Sequence, residues 1–127
     1  MLRQIMYRSR SLIGGWGPEL IDIARQGLRR NEAAGISSTL YHDESLFCQV
    51  LEGTSEALQP LLVRLEADPR HFNMRIIVDA PIPGRSDDAV GMRFIDGRHA
   101  VIARKMVHGA VDAPADGAMS LLRALVA

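Results

Sequence analysis

The chemically conspicuous residue is Gln49, an amide set in an otherwise apolar run, Phe47-Cys48-Gln49-Val50-Leu51. A carboxamide carries two N–H donors and an oxygen with two lone pairs. Leaving these unpaired in a protein interior is costly. Gln49 therefore either bonds a helix end or a buried water, or serves a polar ligand lying over the strand. Tyr7 and Asn31 stand at the margins of apolar segments in the same way. Tyr7 reads as an ordinary strand tyrosine with its hydroxyl at a sheet edge. Asn31 reads as a cap at a helix end. Other chemistry is poorly provided for. His42, His71, His99 and His108 show no metal-ligand spacing, and Cys48 alone builds no zinc motif. His71, next to Arg70, reads as a surface-loop residue. There is no dinucleotide fingerprint, phosphate loop or nucleophile elbow. Gly14, Gly15 and Gly17 before a helix are a weak phosphate signal. With no acid–base pair or triad, no catalytic and no metal residue is assigned, and an enzyme is the weakest reading.

Composition bounds the answer further. A chain of 127 residues is one ordinary domain. Fifteen basic residues balance fifteen acidic ones, which argues against nucleic acid as a partner and against a polybasic membrane anchor. No segment approaches the roughly 18 uninterrupted apolar residues of a spanning helix, and Arg3 and Gln4 interrupt any leader-like run at the start. With one cysteine no internal disulfide can form, and a reduced, cytoplasmic setting is expected.

The elements that would position these groups follow from periodicity and punctuation. Residues 2–8 read as a first strand and residues 9–17 as a glycine-rich loop. Pro18 suits a first helical turn. Leu20, Ile21, Ile23, Ala24 and Leu28 recur at helical spacing, so a helix is expected over about 18–31, with Arg29 and Arg30 near its end. Gly35 would open a second strand, residues 35–42, joined by a tight polar loop to a third, LFCQVLEG, as an antiparallel hairpin. Phe47, Gln49 and Leu51 share one face of that strand, Cys48 and Val50 the other. Thr54 caps a second helix whose stripe is Leu58, Leu61, Leu62 and Leu65, ended by Asp68-Pro69. Residues 73–80 and 89–95 read as two more strands, separated by a turn at Pro81, Pro83 and Gly84. The stretch 99–107 is ambiguous, and a short amphipathic helix is expected near 116–126. The order β-α-β-β-α-β-β is α+β and ferredoxin-like: an antiparallel sheet with two helices on one face and a helical C-terminal tail. The tail or a second subunit is the natural cover for the other face.

Together these segments resemble the BLUF family, blue-light sensors that use FAD, over about residues 1–95. The first strand, LRQIMYRSR, resembles the family's opening strand and sets Tyr7 on its photoactive tyrosine. ARQGLRRNEAAGISSTLY resembles its helix-to-strand segment, with Asn31 on the flavin-binding asparagine. FCQVLEG resembles the F-x-Q-x-L-E-G strand, with Gln49 on the switch glutamine. DPRH resembles the D-x-R-H turn, here Asp68, Arg70 and His71, and Met92 falls on the methionine of the fifth strand. By matched position, Ile23 and Leu65 would flank the flavin ring, while Arg64, Asp68, Arg70 and His71 would meet its polar edge or phosphates. Two segments depart from the pattern. Asp87 and Val90 stand where the family usually has phenylalanine and tryptophan, and Ile36-Ser37-Ser38 stands for its I-T-G.

The resemblance implies a photoreceptor and not a turnover enzyme. Tyr7 would give an electron and then a proton to the excited flavin, and Gln49 would rearrange its hydrogen bonds, shifting absorption to the red. Output would pass through Met92 to an unidentified signalling partner or through a homodimer. On this reading residues 1–95 are the flavin-binding domain. Residues 96–127 are an extension that packs on the sheet or makes the dimer or partner contact. The competing expectation, supported by positions 87 and 90, is a flavin-free ferredoxin-like interaction domain.

Overall fold

The computed structural model describes residues 1–14, 17–86 and 90–109. In chain order these form β1 (Leu2–Ser11), α1 (Pro18–Ala34), β2 (Ser37–His42), β3 (Leu46–Thr54), α2 (Ser55–Ala67), β4 (His71–Ile82), β5 (Gly91–Asp96) and α3 (Val101–Gly109). The sheet order is β4-β1-β3-β2-β5. β1 lies antiparallel between β3 and β4, and β2 is antiparallel to β3. The fold is thus α+β and ferredoxin-like. The sheet is mixed and not wholly antiparallel, because β5 joins β2 in parallel. β4 and β5 occupy opposite edges, so no tight hairpin can join them. The connecting chain is stapled to the central strands instead. Arg85 donates to the Ser37 hydroxyl and the Glu52 carbonyl, and also bonds the Gly35 carbonyl; the Ser86 N–H meets Glu52 Oε1 at 2.7 Å.

Alternation along β3 sorts the core into two layers. Leu51, with Ile5 and Tyr7 of β1, packs under Leu58 and Leu61 of α2, and Phe47 with Leu40 packs against Leu20 of α1. On the other face, Cys48, Val50, Met6 and Tyr41 pack on Val107 of α3. Burial pushes the Cys48 thiol up to about 12, so it is an inert core group.

Local chemistry accounts for the element ends. Thr54 caps α2, its hydroxyl accepting from the Ala57 N–H at 3.1 Å. α1 runs past the expected stop at 31 to Ala34. Gly35 then adopts a left-handed conformation (φ 69°), its N–H turned back to the carbonyls of Asn31 and Glu32. Gly35 therefore closes the helix instead of opening β2, and Asn31 lies inside the last turns, with Arg29 and Arg30 earlier still. β4 extends through Pro81, and β4 is an edge strand, where proline is tolerated. The ambiguous stretch before residue 110 is the helix α3. The helix expected near 116–126, and Asp87, lie outside the described residues.

Candidate functional site

α1 and α2 lie on the same face of the sheet and leave a cleft between them. On α1 the residues fully buried are Leu20 and Asn31, while Ile23 is half-covered, as is Leu65 on α2. Their apolar stripes thus face the cleft without closing it. From the floor, Tyr7 of β1 and Gln49 of β3 enter the cleft; Ile23 and Asn31 come from α1, and Arg64 and Leu65 from α2. Asp68, Arg70 and His71 line the far end, and Met92 of β5 the near one. All ten residues singled out from the sequence therefore line one cavity. Its enclosed free space is about 90 Å³, and the cleft widens to about 710 Å³ when the open mouth is counted. The structure adds Gln26, Gly27, Arg30, Leu40, Phe47 and Leu61 to the lining. Four of these carried a periodic signal: Gln26, Gly27 and Arg30 share a helical face with Ile23, and Leu61 precedes Leu65 by one turn.

The floor is a chain of hydrogen bonds set by strand register. Tyr7 and Gln49 are direct partners across β1 and β3, so their side chains share a face. The Tyr7 O–H donates to Gln49 Oε1 at 2.6 Å. Gln49 Nε2 donates to Ser38 Oγ at 3.2 Å. Asn31 Nδ2 donates to the same Oγ at 3.1 Å and to the Gly91 carbonyl at 3.2 Å. Burial pushes the Tyr7 phenol far above its ordinary range, with smaller contributions from Cys48 and Asp68. Tyr7 therefore stays protonated at any physiological pH, and in this structure its O–H donates to Gln49, whose oxygen faces it.

The far wall is braced separately. One ring nitrogen of His71 pairs with Ser9 Oγ at 2.6 Å and the other with the Leu65 carbonyl, which ties β4 to β1 and to the end of α2. The ring stands edge-on to Phe47, centroids 6.0 Å apart. Arg70 grips Asp68 through two nitrogens, at 2.9 and 2.6 Å. That contact holds the Asp68 carboxyl below the usual carboxylate range and leaves Arg70 largely neutralised. Arg30 and Arg64 are exposed and form no ion pair among the described residues.

These groups suit a flavin. Its ring is flat and apolar on both faces, with an edge of alternating carbonyl and N–H groups. Ile23 and Leu65 offer apolar walls on opposite sides of the cleft. Asn31 commits its Nδ2, while its Oδ1 meets no donor among the described residues. The unpaired arginines at the mouth suit an anionic tail. A bound flavin would supply blue absorption and an acceptor for an electron.

Comparison with known proteins agrees with this geometry. The family of sensors of blue-light using FAD, BLUF, matches residues 2–93, and the chain belongs to it. The photoactivated adenylate cyclase subunit beta of Euglena longa is 37% identical over 90 residues, which is 66% of this chain and 10% of that protein. The chain thus spans about a tenth of the length of the curated relatives it matches. Klebsiella pneumoniae BlrP1 with FMN and cyclic diGMP is 29% identical, with a TM-score of 0.71 over 97% of this chain and 30% of that one. The dark-state structure of BlrB, a BLUF protein, superimposes with a TM-score of 0.84 at 23% identity, covering 98% of this chain and 95% of that one. This last likeness speaks for the fold.

Proposed function

We propose that this protein is a reversible blue-light switch that binds FAD in the cleft between α1 and α2 and signals to a partner protein. The observation that carries the reading is the 2.6 Å hydrogen bond from Tyr7 to Gln49 at the cleft floor. It is a protonated phenol and a rotatable amide in direct contact, which is what an electron–proton donor and a switch require. In this reading Ile23 and Leu65 sandwich the ring and Asn31 holds its polar edge. Arg64 faces the polar edge or the phosphates, and Asp68, Arg70 and His71 shape the far end. Tyr7 releases an electron and its proton, and Gln49 rearranges its bonds by rotation or tautomerisation. Met92, on the same cleft, responds to the change in packing. No step is a turnover, so the matched region acts as a sensor and not as an enzyme. Residues from 96 onward then carry the signal to the partner or to a second copy in a homodimer.

A second reading is a flavin-free interaction domain. It is favoured by Val90, which is 43% exposed where the family usually has tryptophan. One experiment separates the two: the visible absorption of the purified protein after addition of FAD, in the dark and immediately after blue light. Flavin bands with a reversible red shift support the photoreceptor; failure to retain FAD supports the interaction domain.

A further inference from the structure

Tyr7 accounts for one end of the Gln49 amide; the other end meets Ser38. We propose that Ser38 is the positioning residue of the switch: its buried hydroxyl anchors Gln49 Nε2, ties it to Asn31, and sets how readily the amide turns. The role in light switching rests on the photoreceptor reading above, whereas the anchor itself needs no flavin.

Ser38 sits on β2 opposite Leu51, and Leu40 sits opposite Gln49. Ser38 and Gln49 are therefore diagonal neighbours on the helix-facing side. Ser38 is 8% exposed and Gln49 4%, so water cannot freely replace either partner. A hydroxyl has two lone pairs and one O–H. Here both lone pairs receive amide N–H groups, from Gln49 at 3.2 Å and from Asn31 at 3.1 Å. If Gln49 turns over, its oxygen arrives at Ser38 and the O–H can donate to it, while the Asn31 bond persists. One hydroxyl thus satisfies either orientation and links the turning amide to Asn31 at the cleft wall. A glycine, as in the I-T-G pattern this segment otherwise resembles, would offer neither bond.

Removing the hydroxyl does not affect the two orientations equally. A buried N–H without a partner is tolerated less well than an under-satisfied carbonyl oxygen. Without Ser38, the orientation that points Nε2 at this position loses more. The turned form should then persist longer, so Ser38→Ala is expected to slow dark recovery of the red-shifted form by roughly fivefold or more. Ser38→Thr keeps the hydroxyl and is expected to recover at the wild-type rate.

The test uses two readouts on the full chain, each variant first checked for folding by circular dichroism. In flavin-free protein, the side-chain amide signals of Gln49 are followed by ¹⁵N NMR. They are expected to be dispersed and protected in the wild type and in Ser38→Thr, and to move toward free-amide values in Ser38→Ala. In FAD-loaded protein, dark recovery is timed after a blue flash. Unchanged Gln49 signals in Ser38→Ala overturn the inference whether or not flavin binds. Changed signals with unchanged recovery also overturn it, since Ser38 would then hold the amide without governing its turn. A wild-type protein with no light-induced shift defeats the photoreceptor reading instead, and the amide signals then decide alone whether Ser38 positions Gln49.

Discussion

Met92 of β5 presses its thioether methyl onto the bare Cα of Gly27 in α1, leaving no space for a side chain at that turn of the helix. The contact couples the helix that walls the cleft to the edge strand of the sheet. The atom that fills the space is the free end of a flexible side chain, so the contact can be rearranged without rebuilding the backbone.

Gly27→Ala should exploit this. Alanine gains up to about 1 kcal/mol of helix propensity over glycine, which offsets the cost of displacing the methionine methyl. The expected outcome is near wild-type thermal stability together with a moved Met92 methyl signal in ¹³C NMR and an altered lifetime of the lit state. A marked loss of stability with an unmoved methyl signal would refute the proposed flexibility.

Tyr7→Phe should retain FAD but lose the light-induced shift, because among the described residues the phenol is the only group bonded to Gln49 Oε1. The buried amide oxygen then lacks its donor, at a cost of about 1–3 kcal/mol. Absorption before and after illumination checks the first expectation, and urea unfolding the second. A normal shift in the variant would remove Tyr7 from the mechanism.

Asn31→Ala should weaken FAD retention more than it weakens the fold. The side chain donates to Ser38 and to the Gly91 carbonyl, so some stability is lost, while the cleft keeps its apolar walls. The flavin content of the protein after gel filtration, compared with that of Tyr7→Phe, is the measurement. Full retention would show that Asn31 serves the fold alone.

Acid should loosen the lower layer through Asp43. Its carboxyl is fully buried, which alone would raise its pKa. Hydrogen bonds from the Tyr41 hydroxyl, the backbone of Ser45 and Leu46, and His108 of α3 outweigh burial and hold it below the usual range. A carboxylate depressed on folding stabilises fully above its unfolded value, and that stabilisation fades as pH falls through the folded one. Asp43→Asn should therefore be less stable than wild type at neutral pH, and its unfolding midpoint in urea should change less between pH 7 and about pH 3. An equal acid slope in both proteins would assign the acid sensitivity elsewhere.

What was legible in the sequence was whatever repeats or clashes locally. The leucine stripe of α2, the Thr54 cap and the alternation of Phe47, Gln49 and Leu51 are short-range patterns, and each reappears in the structure. Gln49 drew notice because an amide conflicts with apolar neighbours; Tyr7 and Asn31 gained weight only from the family likeness. What stayed hidden depends on pairings distant in sequence. Nothing in Gly91–Asp96 tells whether the strand lies parallel or antiparallel to its neighbour. α3 has no strong cap, and its anchor joins His108 to Asp43, 65 positions away. Ser38 is a small residue that strands often carry, so its two amide donors become visible only when α1 and β3 are folded around it. Gly35 carries a local signal of its own, since a glycine just after a helical run is commonly its terminator.

β5 acquires a particular standing from its place at the sheet margin. Its first residues touch the cleft above, through Met92 and the Gly91 carbonyl that Asn31 holds. Its far end passes through Gly97, whose N–H is fastened to the His42 carbonyl, into the helix beneath. β5 and Gly97 thus join the cleft to α3 by a short stretch of chain. Among the described residues β5 has one ladder neighbour, β2, so the ladder there holds it from one flank. A push delivered at Met92 would meet less resistance along an edge strand than along an inner one, and it would arrive at the root of α3.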